Sequence, residues 1–272
     1  MILPSGSAAA AGPAVWWPAV VAAVLYVLAS LRGGSFEKPA AIALPLAWVA
    51  HLLELGLDVS GWGSAGQGAR LGFAPVLSLT VWVVIGVHAV ESRFLPLPGV
   101  RGWLAPAGAA VVALAAFFPG DARVFSSSMG PLHFVLGVGA YGLFGAAVVH
   151  GALLDAAEKR LRLKGPAAGE STGMPLLQLE RLTFRFVEVG FVVLSATLLL
   201  GVFTTVQWRW DHKAVLSVLG WAVFAALLLG RRLRGWRGRR ATRWLYFGAV
   251  LLLLSYVGSR FVFEVLLSRA PT

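Results

Sequence analysis

Eight long apolar stretches dominate this sequence and decide what it can fold into. A helix needs about 20 residues to cross roughly 30 Å of hydrocarbon. Because lipid offers no partner for an exposed backbone group, and no alternating barrel pattern appears, each stretch is predicted to be a helix. The predicted fold is an all-α, polytopic membrane helix bundle in which residues 1–272 form a single integral membrane domain. The stretches lie near residues 14–31, 40–57, 71–91, 102–118, 131–154, 182–203, 214–232 and 243–267, of which the second and fourth are short.

The composition excludes a soluble domain and several kinds of site. Hydrophobic residues make up 58% of the chain and charged residues 13%, whereas soluble domains carry roughly 25% charged residues. The chain has no cysteine. Disulfides, thiolate metal sites and covalent attachment of a c-type haem to this chain are therefore excluded.

The positive charge is distributed unevenly between alternate loops. Segments 32–39, 92–101, 155–185 and 231–243 hold 17 of the Lys and Arg residues, and the other set of connections and ends holds 6. Cytoplasmic loops are enriched in Lys and Arg. We therefore expect a multi-pass protein of the bacterial cytoplasmic (inner) membrane with both termini outside. The net charge of +11 then reflects orientation in the lipid bilayer, and no nucleic acid partner is expected.

A tryptophan-rich segment at residues 204–213 precedes the seventh span on the predicted outer side. One interpretation is an aromatic belt at the headgroup level, with Asp211 capping the next helix. The other is a surface for a flat, amphipathic, anionic ligand, because indoles stack on a porphyrin face and cations pair with its propionates. The candidate contacts are Trp208, Arg209, Trp210, Asp211, Lys213 and, further along the seventh span, Trp221.

These residues resemble the tryptophan-rich "WWD" segment of the cytochrome c assembly family, the CcsA/CcmC/HemX-like haem-handling membrane proteins. The short eight-span HemX/YpjD-like inner-membrane subgroup is the most similar, and the resemblance extends over residues 130–267. The residues that carry it are Trp208-x-Trp210-Asp211-x-Lys213, Leu132-His133 with Ala140-Tyr141, segment 175–182 with Gly190-Phe191, segment 235–239, and Tyr256-x-Gly258-Ser259-x-Phe261-Val262.

The resemblance implies binding or passage of haem b in cytochrome c maturation. Other maturation proteins or apocytochrome c would be its partners. His133 matches the first of the two outer histidines that flank the segment in this family. The second would lie at the outer end of the last span, where this chain has Phe261-Val262-Phe263-Glu264, and an inner histidine of the seventh span is replaced by Gly230-Arg231.

Histidines within membrane spans are candidate ligands on physical grounds as well, because neutral imidazole binds haem iron and intramembrane ionisable groups are rare. The predicted orientation places His133 and His51 in the outer halves of their spans, as a first candidate pair for the iron. His88 and His150 form a second pair near the cytoplasmic side. For each histidine the alternative is a structural role, hydrogen-bonded to Ser, Thr or a backbone carbonyl.

Three other function classes are weighed against haem handling. An accessory or regulatory membrane subunit without haem would explain the missing second histidine. A permease would need a polar path, but Glu188 and Glu264 have Arg185 and Arg260 within one helical turn, and paired packing explains them as well. An enzyme with its own catalytic centre is not expected, although lyase-like assistance to haem attachment remains open.

Overall fold

The computed structural model describes residues 13–31, 37–60, 68–95, 97, 99–120, 122–123, 125, 128–164, 176–204 and 210–267. Long helices account for most of these residues, which confirms the predicted all-α polytopic bundle. They are α1 (Pro13–Ser30), α2 (Glu37–Ser60), α3 (Phe73–Glu91), α4 (Arg101–Phe117), α5 (Gly130–Lys164), α6 (Leu176–Thr204), α7 (His212–Arg234) and α8 (Gly238–Leu253).

Six helices among the described residues are long and apolar enough to cross a membrane, and α1 and α4 are shorter apolar helices. The second stretch was predicted to be short, but α2 has 24 residues. Likewise, α5 continues to Lys164, ten residues beyond the predicted end at residue 154. Hydropathy identifies only the apolar part of a span. The helix itself, with its backbone hydrogen bonds, continues into the polar residues beyond it.

The chain divides into two compact units, of which the first comprises residues 1–89, 99–128 and 257–272. Here α1 packs against both α2 and α4. Two indoles join α2 to α3: Trp48 and Trp82 stack with centroids 4.4 Å apart, and each indole N–H donates to the other residue's carbonyl. A short antiparallel ladder pairs β1 (Ala69–Arg70) with β2 (Ala122–Arg123).

The second unit comprises residues 90–98 and 129–256 and contains α5 to α8. Its core is centred on Phe144 of α5 and Phe224 of α7, which are buried and stacked at 3.9 Å. Gly190 and Gly248 admit these rings, because a Cβ at either glycine would lie within about 3.2 Å of a ring carbon. Small residues therefore set how closely these helices approach.

The ends of α7 follow standard helix-capping chemistry. The Asp211 carboxylate accepts a hydrogen bond of 2.7 Å from the Ala214 amide, which confirms its predicted capping role. At the other end Gly235 adopts φ = 61°, the left-handed conformation that glycine favours at a helix C-terminus. A tight turn then leads into α8.

The last span departs from regular α-helix after Leu253. It continues as π-helix over Leu254–Gly258 and Val262–Leu266, with one α-helical turn at Ser259–Phe261 between them. The Tyr141 hydroxyl of α5 donates to the Leu252 carbonyl and lies 3.0 Å from the Ser255 hydroxyl. Because π-helical segments occur frequently at functional sites, the stretch after α8 is a candidate functional region.

Candidate functional site

His133 lies in the first turn of α5, where its amide donates to the Met129 carbonyl at 3.0 Å. Its half-buried ring packs against Gly201 of α6 and approaches the backbone of Thr197 in the same helix. The Nδ1 atom is buried and has no hydrogen-bond partner in the part of the chain that the structure describes. Leaving a buried polar atom unpaired costs about 1–3 kcal/mol. This nitrogen is therefore not committed to another described residue.

Lys213 is at the same end of the second unit as His133. Its ammonium acts electrostatically on the His133 ring and lies 4.9 Å from the centroid of the Tyr256 ring. An ammonium over an aromatic face is attracted by the quadrupole of the ring. The structure thus brings together one predicted ligand and one predicted propionate partner. Tyr256, which positions the lysine, was not among the predicted contacts.

The other residues of the tryptophan-rich segment differ in environment. Trp210 is 70% exposed, while Trp221 packs in the core of its unit. The Trp221 indole stacks on Phe191 with centroids 5.5 Å apart and donates to the Ser195 hydroxyl at 2.9 Å. Trp208 and Arg209, both predicted contacts, lie outside the described residues.

His51 is fully buried in the first unit, and both of its ring nitrogens make hydrogen bonds. Nδ1 lies 3.0 Å from the Tyr26 hydroxyl, and Nε2 lies 2.7 Å from the Ser78 hydroxyl. This geometry corresponds to the structural alternative predicted for a membrane histidine. No signal in the sequence identified Tyr26 or Ser78 as its partners, because they lie 25 and 27 residues away.

His150 is also buried, with a hydrogen bond at Nδ1 and a carboxylate close to Nε2, although Nε2 makes no hydrogen bond within the described residues. Its Nδ1–H donates to the Ala146 carbonyl at 2.7 Å, and its Nε2 lies 3.1 Å from the Glu91 carboxylate. Its Phe186 neighbour on α6 confirms that His150 faces another helix. His88 is buried in α3, and His212 is the first residue of α7.

The two predicted iron-binding pairs each combine residues from different units. His51 and His88 belong to the first unit, and His133 and His150 to the second. Each pair therefore draws one histidine from each unit. Both pairings therefore stay predictions.

The Phe261–Glu264 stretch, where a second outer histidine is expected, ends in Glu264, which has a structural role. One carboxylate oxygen accepts a hydrogen bond of 3.2 Å from the Phe73 amide at the start of α3. The other lies 3.7 Å from Arg260, which confirms the predicted pairing of these two residues. The carboxylate rests on Gly72, where a Cβ would come within 2.9 Å of it.

A cleft in the first unit contains charged residues that the sequence did not connect. The cleft is narrow and open to the outside, and Glu54, Asp58 and Arg70 lie in its wall with apolar residues. Asp58 and Arg70 are both nearly inaccessible and form an ion pair of 3.7 Å. Buried ion pairs are costly to break, because the remaining partner is left as an unpaired charge.

These features define a class, a multi-pass α-helical membrane protein with a half-buried imidazole at one helix end. Residues 71–267 match the Cytochrome C assembly protein family. The match begins well before the segment that carries the resemblance noted above. No solved structure matches the chain significantly.

Two relatives support the same assignment. The chain is 30% identical over 242 residues to the "Inner membrane protein YpjD" of Escherichia coli strain K12. This alignment covers 86% of the chain and 90% of that protein. It is 25% identical over 258 residues to the "Cytochrome c biogenesis protein CcsA" of Synechococcus sp. strain CC9902, covering 82% and 84% respectively. The chain therefore belongs to the cytochrome c assembly protein family.

Proposed function

We propose that this protein binds haem b in the course of cytochrome c assembly and that His133 is an axial ligand of the iron. The single observation that carries the proposal is the buried His133 Nδ1 with no hydrogen-bond partner in the described chain. An imidazole with an uncommitted nitrogen is suited to iron, and the absence of a side chain at Gly201 lets α6 pack directly against the ring. Bound haem would supply the iron and the redox chemistry; the protein would bind and orient it.

Charge and aromatic surface near His133 support an anionic, planar ligand. Lys213 provides a cation near the imidazole, as a propionate partner requires. The exposed ring of Trp210 is a candidate stacking surface, together with Trp208 and Arg209. Trp221 would act indirectly, because its indole already packs on Phe191 and bonds to Ser195.

His51 remains the predicted second ligand. Its recruitment would require release of the hydrogen bond to Tyr26 or to Ser78, at a cost of roughly 1–3 kcal/mol for the partner left unpaired. His133 has no such hydrogen bond at Nδ1 to release. We therefore place His133 first in order of ligation.

Family membership supports a role in cytochrome c biogenesis. We propose that the protein holds haem for transfer to other maturation proteins or to apocytochrome c. The thiols that attach haem covalently belong to the apocytochrome substrate, so a chain without cysteine can still assist the attachment. We propose haem handling and not catalysis as the activity.

An absorption spectrum of the detergent-purified protein, oxidised and dithionite-reduced, tests the proposal directly. We expect a Soret band and sharp reduced α and β bands at near-stoichiometric haem when the cells are haem-replete. His133→Ala should lose most of the bound haem. His212→Ala tests the neighbouring exposed imidazole at the start of α7, which lies within the tryptophan-rich segment. Unchanged stoichiometry and spectrum in His133→Ala would show that the ligand assignment is wrong.

A second candidate function is that of an accessory membrane subunit without haem. The observation that favours it is the capping role of Glu264 within the Phe261–Glu264 stretch, where the family resemblance predicts a histidine. This alternative predicts a colourless protein that takes up no added hemin. It also predicts a stable protein partner that copurifies in mild detergent.

A further inference from the structure

The turn between α7 and α8 concentrates positive charge at one end of the second unit. Residues 231–243 contain seven arginines and no acidic residue. The last turn of α7 holds Arg231, Arg232 and Arg234, and the first turn of α8 holds Arg239 and Arg240. Gly235 reverses the chain between the two helices. The cations are therefore gathered at two adjacent helix ends.

Two of the seven arginines contact residues of α6. The Arg231 guanidinium lies 3.7 Å from the centroid of the Phe184 ring, and Arg237 lies 3.8 Å from the Glu180 carboxylate. The other five are exposed, and the described residues place no carboxylate within 4.0 Å of them. These five are Arg232, Arg234, Arg239, Arg240 and Arg243.

Aromatic packing fixes the position of one exposed guanidinium. Arg240 lies 4.4 Å from the centroid of the Trp236 ring, and Trp236 in turn packs against Trp244 at 5.4 Å. Gly230 makes room for the indole, because a Cβ there would overlap the ring at 2.5 Å. A guanidinium held in this way loses less side-chain entropy when it binds an anion.

Exposed apolar side chains lie next to these cations along α7. Leu233 is 79% exposed and Leu229 is 55% exposed. Tryptophan side chains such as Trp236 are typical of the boundary between headgroups and acyl chains. Exposed leucines beside fixed guanidinium groups match an amphipathic partner with an anionic head and an apolar tail.

From this arrangement we infer that the α7–α8 corner, residues 229–243, is a binding site for an anionic phospholipid. Arg239 and Arg240 bind the phosphate, and Leu229 and Leu233 contact the acyl chains. Guanidinium groups are suited to phosphate because they donate two parallel hydrogen bonds. This site is independent of haem binding, since none of these residues is among the proposed haem contacts.

Thermal unfolding in detergent micelles supplemented with lipid tests the inference. The probes are dioleoyl phosphatidylglycerol and dioleoyl phosphatidylcholine, which have the same acyl chains and differ in headgroup charge. We expect the anionic lipid to raise Tm by roughly 2–4 °C more than the zwitterionic lipid, because a ligand of the native state stabilises it. The difference should shrink in about 0.5 M NaCl, where charges are screened.

Three double variants distinguish binding at this corner from an effect of net charge. Arg239→Gln with Arg240→Gln should lose most of the lipid-specific shift. Arg160→Gln with Arg162→Gln removes the same charge from exposed positions of α5 and should keep it. Arg239→Lys with Arg240→Lys preserves the charge and should keep at least half of the shift. The lysine variant also shows whether the site tolerates substitution without unfolding.

Three results would overturn the inference. Equal shifts with the two lipids would show that the headgroup is not recognised. Equal loss in both glutamine variants would show that only net charge matters. Reproduction of the whole shift by about 10 mM inorganic phosphate would show a simple anion site instead of a lipid site.

Discussion

Gly201 of α6 lies directly against the imidazole of His133: a Cβ atom at this glycine would come 3.1 Å from His133 Cε1 and 3.6 Å from Nδ1. The proposed ligand therefore depends on an empty position in the neighbouring helix. A larger residue must either displace the ring or separate the ends of α5 and α6. Overpacking of this kind costs about 1–3 kcal/mol.

We predict that Gly201→Val lowers the haem-to-protein ratio of the purified protein and also lowers its Tm. The branched side chain would move the His133 ring from its position against α6. The readout is the haem-to-protein ratio from the Soret band, with Tm measured on the same sample. Gly201→Ala should have a smaller effect in the same direction.

Gly137→Ala is the matched control for this experiment. It lies in the same α5–α6 interface, where a Cβ would meet the Thr197 side chain at an ordinary distance of 3.8 Å. We expect wild-type haem content in this variant. An equal loss of haem in Gly137→Ala and Gly201→Val would indicate general disturbance of the interface and not displacement of His133.

A different outcome is expected for His51, whose two ring nitrogens are hydrogen-bonded to Tyr26 and Ser78. His51→Ala removes both hydrogen bonds and leaves a cavity between α1, α2 and α3. We expect a loss of stability of about 2–4 kcal/mol, which corresponds to a decrease in Tm of roughly 5–10 °C. The measurement is thermal unfolding in detergent, followed by tryptophan fluorescence.

The companion variants Tyr26→Phe and Ser78→Ala separate a structural role from ligation. Each removes one hydrogen bond and keeps the imidazole. If His51 is only structural, both should lower Tm and leave the Soret band unchanged. A shift of the Soret band in Tyr26→Phe or Ser78→Ala would instead place His51 on the iron.

Much of the fold could be predicted because hydropathy determines which segments leave water. The apolar centre of each helix was identified in this way, and so was the cap at Asp211, whose type and position precede a helix start. The helices α2 and α5 extend beyond the predicted apolar spans, because charged residues such as Asp58 and Glu158 continue the helix past the apolar region. Burial of a charge depends on tertiary partners, which local composition does not contain.

The site could be predicted only as far as residue type allowed. A histidine in a span is a recognisable candidate, and its chemistry is the same in any fold. Whether it is available depends on distant residues: His150 meets Glu91 across 59 positions, and His133 meets Gly201 across 68. No short-range pattern encodes such contacts. For this reason the sequence ranked the histidines as candidate ligands but could not show which of them are engaged by other residues.

Asp155 provides a stability prediction that is independent of haem. Its carboxylate accepts hydrogen bonds of 2.8 Å from the Thr242 hydroxyl and 2.8 Å from the Tyr246 hydroxyl, which join α5 to α8. We expect Asp155→Ala to lower the free energy of unfolding by about 2–4 kcal/mol, because both hydroxyls lose their acceptor. Asp155→Asn should cost less, since its amide oxygen still accepts.

A double-mutant cycle with Tyr246→Phe isolates one of these bonds. Hydrogen bonds to a charged acceptor contribute about 1.5–3 kcal/mol, and neighbouring substitutions are not additive. We therefore expect the double variant to be less destabilised than the sum of the single variants. Strict additivity would show that the Tyr246 hydroxyl does not bind Asp155 in solution.

The predicted orientation can be tested simply because the chain contains no cysteine. Single cysteines at Ser128, before α5, and at Lys159, in the last third of α5, are both exposed. A membrane-impermeant maleimide applied to intact spheroplasts should label Ser128→Cys at least tenfold faster than Lys159→Cys, because uneven Lys and Arg content places position 159 in the cytoplasm. Permeabilised membranes serve as the control and should label both positions at similar rates. Faster labelling of Lys159→Cys than of Ser128→Cys in intact spheroplasts would show that the topology is the reverse of the prediction. His133, Lys213 and the tryptophan-rich segment would then lie on the cytoplasmic side.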